Sequence, residues 1–181
     1  EAREIEKNFK KAHFFGDKLA GNIKREYLLK KNHKDIENFL IDMAKEYDTA
    51  FDYIKSVKVG NADVPLIMDQ AWVNFQDKHE FNPLHNHSGI YSFVGFIQIP
   101  YSKDHLKKSP GAKSNSPCAG GLSFMYNNML GATMDYLFQA TKEDEGLFFF
   151  FPAKLNHLVY PFYSSNEYRI TISGNLVLKL K

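Results

Sequence analysis

The C-terminal two-thirds of this chain alternate between short runs rich in Val, Ile, Phe and Tyr and clusters of turn residues. The runs cover residues 71–76, 89–99, 121–127, 146–151, 157–160 and 168–179. Runs of this length and composition are typical of strands, in which β-branched and aromatic side chains pack well. The pattern predicts an antiparallel β-sandwich or barrel that begins near residue 66.

The N-terminal third has a helical period instead. Between residues 36 and 54, apolar side chains recur at steps of three and four: Ile36, Phe39, Leu40, Met43, Tyr47, Phe51 and Ile54. This spacing predicts an amphipathic helix that is capped by Asn32 or Asp35 and ends at Gly60-Asn61. A shorter helix is predicted earlier by the spacing of Ile5, Phe9 and Ala12.

The length of 181 residues is sufficient for one domain with a substantial core. We expect a single α+β domain over residues 1–181 that is mainly β. A helical region at 1–62 would pack on the outside of a β core at 66–181.

Composition narrows the range of partners and compartments. A net charge of +2 provides little attraction for nucleic acid, so a nucleic-acid partner is not expected. Cys118 is the single cysteine, which excludes an intramolecular disulfide and favours a reducing, cytoplasmic location. The start is highly charged, and no apolar run is long enough to cross a bilayer, so no membrane association is expected.

Three histidines fall where strands of the β core are predicted to begin. His85 and His87 are two residues apart, so on a strand their side chains share one face. Pro83 fits the mouth of a strand, which would put both histidines at the rim of the core. His157 opens a distant strand and would complete a three-ligand metal site with open coordination positions. The alternative is that these are loop or strand-edge histidines hydrogen-bonded to backbone.

An arginine, Arg169, lies on the last long predicted strand, twelve residues after the third histidine. Strand parity places Arg169, Thr171 and Ser173 on one face. A buried arginine requires an anionic partner, and its planar fork suits a carboxylate. The alternative is a polar stripe that faces solvent on an edge strand.

A long polar connection joins two of the predicted strands at residues 102–120. Connections of this length are commonly lids, binding loops or disordered segments. We therefore expect this loop to contact substrate or to cover the site.

Taken in order, these motifs resemble those of the Fe(II)/2-oxoglutarate-dependent dioxygenase superfamily. The matching segments are Trp72-Val73-Asn74-Phe75, Asn82-Pro-x-His85-x-His87-Ser-Gly, Phe-Pro152 with His157, and Tyr168-Arg169-Ile-Thr-Ile-Ser-Gly-Asn175. The resemblance covers about residues 69–178 and is nearest to a branch of bacterial and phage oxygenases. It implies a double-stranded β-helix, also called a jelly roll.

The resemblance also implies a metal site and a cosubstrate site. Fe(II) would be held by His85, His87 and His157, and 2-oxoglutarate and O2 would take the open positions. The far carboxylate of 2-oxoglutarate would pair with Arg169, with help from Thr171.

Two further residues are candidates for cosubstrate contact. Tyr91 shares strand parity with His85 and His87 if the strand is regular, and Asn74 follows Trp72 on a neighbouring strand. For each, the alternative is a place in the core.

The implied reaction is hydroxylation of a small-molecule or peptide substrate with release of succinate and CO2. Substrate identity and oligomeric state are not determined by the sequence.

One departure from the superfamily pattern concerns the second ligand. The usual motif is His-x-Asp, whereas His87 stands at the Asp position here, so a neutral imidazole replaces a carboxylate. Fe(II) accepts imidazole ligands. Alternatively, Asp77 or Glu80 supplies the third ligand, or the metal is different.

Two other functions fit parts of the pattern. A cupin-type metal-dependent dioxygenase would use His-x-His on a jelly roll without 2-oxoglutarate. However, Tyr91 and Ser92 stand where cupins place a glutamate, and Arg169 would have no role. A non-enzymatic jelly-roll binding protein would leave the histidines without a function.

Overall fold

Two antiparallel sheets form the body of the protein. The computed structural model describes residues 1–31, 33–57 and 64–179. The strands in these ranges are β1 (Glu26–Leu28), β2 (Leu66–Gln76), β3 (Asn82–His85), β4 (Tyr91–Gln98), β5 (Gly121–Asn127), β6 (Thr133–Gln139), β7 (Phe148–Pro152), β8 (Asn156–Val159) and β9 (Arg169–Leu178). The helices are α1 (Ala2–Lys7), α2 (Lys34–Phe51), α3 (Tyr53–Ser56) and α4 (Lys103–Leu106).

The strand order shows how segments distant in the chain meet. One sheet has the order β1-β2-β9-β4-β7 and the other β3-β8-β5-β6. An apolar core that includes Phe96, Leu122, Phe124 and Phe151 joins strands of the two sheets. The predicted fold class is confirmed: the chain is mainly β, with a jelly-roll core and helices on the outside.

The long pairing between β2 and β9 gives the five-stranded sheet two different faces. Val73, Phe75 and Ile170 belong to one apolar cluster on the side of α1. The alternate residues of the same strands are opposed in pairs and line an internal cavity: Trp72 with Ser173, Asn74 with Thr171, and Gln76 with Arg169. The alternation of a strand therefore keeps the polar residues together inside the molecule.

The amphipathic helix packs on the outer face of this sheet, as predicted. Leu40 and Ala44 of α2 are buried against Tyr91, Phe93 and Leu176. Asp52 interrupts the helix with a left-handed backbone (φ 49°) before the short α3.

The helix begins at Lys34, one residue before the predicted cap Asp35. His33 is the N-cap residue, and Asp35 lies inside the first turn. The proposed cap Asn32 and the proposed end at Gly60-Asn61 lie outside the described residues.

The prediction of a wholly helical region before residue 62 is wrong for residues 26–28. These residues form β1, which pairs antiparallel with β2 from Glu26 opposite Asn74 to Leu28 opposite Trp72. The exposed edge of β2 supplies backbone partners to this segment, so that long-range pairing overrides local propensity. The pattern also missed β3 and β6, which are short or largely exposed strands.

No helix in the described ranges combines the length and apolar character that crossing a membrane requires.

We expect Leu40→Ala to lower the free energy of unfolding by about 2–5 kcal/mol, because it leaves a cavity under α2. Leu40 is fully buried, whereas Phe51 near the end of the same helix is 67% exposed. Urea unfolding followed by circular dichroism measures both changes. Phe51→Ala is the control, and an equal loss for the two variants would contradict the packing of α2 described here.

Candidate metal centre and its cavity

Three histidines from separate segments converge at one end of the internal cavity. His85 ends β3 and lies opposite His157 of β8 in the register of the four-stranded sheet. His87 follows two residues after β3, and its backbone N–H donates to the carbonyl of Ala153 at 2.9 Å. One ligand atom from each of the three side chains lies within 4.8 Å of the other two.

Hydrogen bonds to backbone orient two of the rings for metal binding. His85 Nδ1 donates to the carbonyl of Pro83 at 2.7 Å, and His157 Nδ1 donates to that of Leu155 at 3.0 Å. A carbonyl only accepts, so each Nδ1 carries the proton and each Nε2 keeps its lone pair. His87 Nε2 and His157 Nε2 are 3.2 Å apart. Metal–nitrogen bonds of about 2.1 Å at right angles place two nitrogens about 3 Å apart.

Burial keeps these rings in the neutral form that binds metals. Burial, with the neighbouring histidines as a second cause, lowers the pKa of His87 to about 3. Burial likewise lowers the pKa of His157 to about 4, and the pKa of His85 is lowered for the same reason. At neutral pH no proton has to be removed before the three imidazoles accept a cation.

The two carboxylates considered as alternative ligands are held elsewhere. Asp77 accepts a hydrogen bond from Arg25 at 2.7 Å. Glu80 accepts from the backbone N–H groups of Lys24 and Asp77. Neither residue belongs to the cluster of possible ligands within the described part of the chain, and His87 does. The donor set is therefore three imidazoles, which suits Fe(II) among other transition metals.

Arg169 lies in the same cavity and is 2% exposed. Its Nε and Nη2 both donate to Gln76 Oε1, at 3.0 and 2.5 Å. Nη1 donates to Tyr101 Oη at 2.8 Å and to the carbonyl of Gly120 at 2.7 Å. Nη2 also donates to the carbonyl of Tyr160 at 3.3 Å. In the described residues this buried cation thus has only neutral acceptors, and an anion in the cavity would compensate its charge.

Two polar neighbours extend this cationic end. Asn74 Nδ2 donates to Thr171 Oγ1 at 3.1 Å, and Asn74 Oδ1 is buried with no partner in residues 1–31, 33–57 and 64–179. The Thr171 hydroxyl keeps its own proton to donate to a ligand. Both side chains line the cavity with Arg169. Strand parity predicted the face that Thr171 shares with Arg169, whereas Asn74 was a candidate because it follows Trp72 on a neighbouring strand.

A single cavity joins the histidines to the arginine. The space free of protein atoms in this cavity and at its open mouth is about 600 Å³. Its apolar walls include Phe96, Leu122, Phe151 and Val159. The cavity therefore has a cluster of three histidines at one end, a buried guanidinium at the other and largely apolar walls between them.

The prediction that Tyr91 contacts cosubstrate is corrected by its position. Tyr91 is fully buried in the cluster beneath α2, beside Tyr47 and Tyr53, and does not line the cavity. The chain is not one regular strand from His85 to Tyr91, because β3 ends at His85 and β4 begins at Tyr91. The alternation of side chains between the two faces of a strand therefore does not continue from His85 to Tyr91.

The predicted role of the 102–120 loop is also corrected. None of these residues, all of which the structure describes, lines the cavity. The loop instead packs through Leu106 into the core, and Gly120 at its end accepts a bond from Arg169. Its contribution is to hold the arginine.

The sequence did not single out several residues of the cavity. Gln76 has the parity of Asn74, which was the available signal for its place beside Arg169. Asn82 stood in the quoted histidine motif but was given no role. Glu26 gave no signal, because its segment was predicted to be helical. It is 2% exposed, and burial followed by repulsion from Glu80 raises its pKa to about 7.

The chain is similar to known proteins in sequence and in fold. Residues 70–175 match the model of a family described as "Putative 2OG-Fe(II) oxygenase". No curated protein matches the chain. Among solved structures, a prolyl-4-hydroxylase from Pseudomonas putida aligns with a TM-score of 0.51 at 11% identity, over 96% of this chain and 80% of that one. This likeness shows a shared fold.

Two further structures align less closely. The viral collagen prolyl hydroxylase of Paramecium Bursaria Chlorella virus-1, in complex with 2OG, has a TM-score of 0.44 at 11% identity, over 97% of this chain and 90% of that one. A 2OG-Fe(II) oxygenase family oxidoreductase from Burkholderia pseudomallei has a TM-score of 0.44 at 12% identity, over 65% of this chain. This chain spans about half of that protein, 47% of its length.

We expect His157→Ala to abolish binding of Mn(II), used as a redox-stable probe, because two imidazoles do not make a facial set. The matched control is His13→Ala, which changes an exposed histidine outside the cluster. Electron paramagnetic resonance of free Mn(II) measures retention by each variant. Equal retention by wild type and His157→Ala would refute the ligand assignment.

We expect Glu26→Gln to stabilise the metal-free protein more at pH 8 than at pH 5. The pKa of Glu26 is raised from 4.5 to about 7, so the folded state holds this proton more tightly than the unfolded state. The wild type therefore loses stability as pH rises from about 4.5 to 7, and Gln cannot ionise. The extra gain at pH 8 is on the order of 1–3 kcal/mol. Urea unfolding at both pH values tests this, and a gain independent of pH would contradict it.

Proposed function

Because this chain belongs to the 2OG-Fe(II) oxygenase family, we propose that it is an Fe(II)- and 2-oxoglutarate-dependent hydroxylase. The observation that carries the proposal is a single cavity with three neutral histidines at one end and, at the other, a buried arginine whose acceptors in the described part of the chain are all neutral. We propose a small molecule or a peptide as the substrate. The net charge of +2 gives little support to a nucleic-acid substrate.

His85, His87 and His157 would hold the iron. Two of their Nε2 atoms are already directed by hydrogen bonds at Nδ1, so the protein loses little conformational freedom when metal binds. Three neutral ligands leave the full charge of the cation uncompensated. A dianionic cosubstrate would therefore be attracted to the metal end and to Arg169 at the same time.

Arg169 would hold the far carboxylate of 2-oxoglutarate, with the Thr171 hydroxyl as a second donor. The guanidinium already donates at each nitrogen, so a carboxylate has to replace one neutral acceptor. The longest hydrogen bond of Arg169, 3.3 Å from Nη2 to the carbonyl of Tyr160, is the weakest. Exchange of that bond for a charge-assisted one is favourable in a buried site.

The walls between the two ends would exclude water from the reacting atoms. Phe96, Leu122 and Phe151 are each buried to more than nine-tenths. When bound, iron, 2-oxoglutarate and O2 would supply oxidative decarboxylation to succinate and CO2, with one oxygen atom of O2 entering succinate and the other hydroxylating the substrate. The chain itself binds, orients and shields the reactants.

The two alternative functions account for less of the site. A cupin-type dioxygenase without 2-oxoglutarate has no use for a buried arginine that lacks an anionic partner. A binding protein without a metal leaves three converging histidines unexplained.

We expect wild type with Fe(II) to form succinate only when 2-oxoglutarate is added, including slow turnover without substrate. Calorimetry with Mn(II) should show that Arg169→Lys weakens 2-oxoglutarate binding at least about tenfold, which is 1.4 kcal/mol. Lysine keeps the charge but loses the planar fork.

The matched control is Arg25→Lys, which changes an arginine paired with Asp77 outside the cavity. Circular dichroism verifies that both variants are folded. Metal retention together with undiminished 2-oxoglutarate affinity in Arg169→Lys would remove this residue from the proposed role.

A further inference from the structure

A second cavity opens beside the histidines, on the side of the N-terminal segment. We name it the side cavity and define it by Phe15, Glu26, Trp72, Asn82, His85 and His87. Trp72, Asn82, His85 and His87 also line the cavity described above. A group placed in the side cavity would therefore lie next to the metal-binding end and away from Arg169, which lines only the first cavity.

Glu26 is the acidic residue of this wall. It lies directly opposite Asn74 in the β1–β2 register, so its side chain is on the cavity side of the sheet. The residue is 2% exposed, and its Oε1 has no hydrogen-bond partner within the described part of the chain. An unpaired buried carboxyl costs stability, and its raised pKa reflects this cost. The fold retains this carboxyl although none of the described residues donates a hydrogen bond to its Oε1.

A second acceptor lies close to the first. Asn82 Oδ1 is also buried and has no hydrogen-bond partner among the described residues. A Cβ at Gly21 would lie 2.4 Å from Asn82 Oδ1 and 3.8 Å from Glu26 Oε1, so both oxygens face the same glycine. Two unpartnered acceptors at one place call for a ligand that carries several N–H donors.

The remaining charges around the side cavity do not supply that donor. Lys18 also lines it, but this side chain is 67% exposed and pairs with Asp17 at 3.3 Å. The other polar residues of the lining are neutral: Gln70, Asn86, Ser88 and Asn175. Of the two cavities, Glu26 thus lines the side cavity and Arg169 the first one, whereas His85 and His87 line both.

We propose that the side cavity receives a cationic nitrogen group of the substrate, an alkylammonium or alkylguanidinium, with Glu26 as its anionic partner. The group would bring positive charge and several N–H donors to two oxygens that have no partner. The same carboxylate would repel 2-oxoglutarate, so that substrate and cosubstrate enter different ends of the site. That this cation is part of the substrate rests on the function proposed above, whereas the binding of a cation at Glu26 does not.

The test measures binding of butylguanidinium to wild type at pH 8 by ligand-observed NMR, with and without Mn(II) and 2-oxoglutarate. N-butylurea is the neutral probe of similar shape, and pentanoate is the anionic one. We expect butylguanidinium to bind at least about tenfold more tightly than either, and Mn(II) to broaden its resonances. This comparison needs no variant.

Two variants locate the binding. Glu26→Gln should weaken butylguanidinium at least tenfold and leave N-butylurea unchanged. Asp77→Asn removes one negative charge outside the side cavity and should preserve the preference. Equal affinity of wild type for the charged and neutral probes, or equal affinity of wild type and Glu26→Gln for butylguanidinium, would overturn the proposal.

A last binding comparison distinguishes a free amine from a lysine side chain of a peptide as the source of the cation. Butylammonium is compared with the N-acetyl, N-methylamide derivative of lysine, so that tighter binding of the latter indicates a side chain in a peptide and tighter binding of the former a free amine. Failure of Mn(II) retention would refute the proposed function alone. Glu26-dependent binding of butylguanidinium to the metal-free protein is expected in either case.

Discussion

The buried guanidinium of Arg169 is the constraint around which the site is organised. Its bonds reach Gln76 on β2, Tyr101 and Gly120 at the two ends of one long loop, and Tyr160 after β8. A cation at this depth is tolerable only when every N–H is satisfied. The 102–120 loop, which was predicted to contact substrate or cover the site, is held close to the core, because Gly120 at its end and Tyr101 just before its start both accept hydrogen bonds from Arg169.

The histidine end follows a different principle. Its three histidines are neutral, and two of them are oriented by hydrogen bonds to backbone, so this end of the site carries no charge until a metal is present. A family with a carboxylate ligand compensates part of the metal charge by the protein itself. In this chain, Arg169 and the proposed iron would both remain uncompensated until a dianion enters. Cosubstrate binding would therefore be coupled to metal binding more strongly than with a carboxylate in place of His87.

The part of the chain that closes the site lies outside the family match, which covers residues 70–175. Phe15 packs on Trp72 with ring centroids 6.0 Å apart, and Trp72 lies 5.7 Å from the ring of His87. Glu26 and Gly21 come from the same segment. The three histidines and Arg169 thus belong to the matched core, whereas Glu26, which we propose to bind the cationic group of the substrate, comes from the segment before it.

The sequence alone determined what depends on local alternation. It placed Arg169, Thr171 and Ser173 on one face of a strand and gave the helix that includes Leu40 one apolar face, because strand and helix periods are properties of neighbouring residues. Tertiary structure decided what depends on register between distant strands and on chain breaks. The pairing of β1 with β2 brought Glu26 to the histidines, and the break between β3 and β4 removed Tyr91 from them. These outcomes arise from backbone hydrogen bonds and packing between segments far apart in the chain, which no local period encodes.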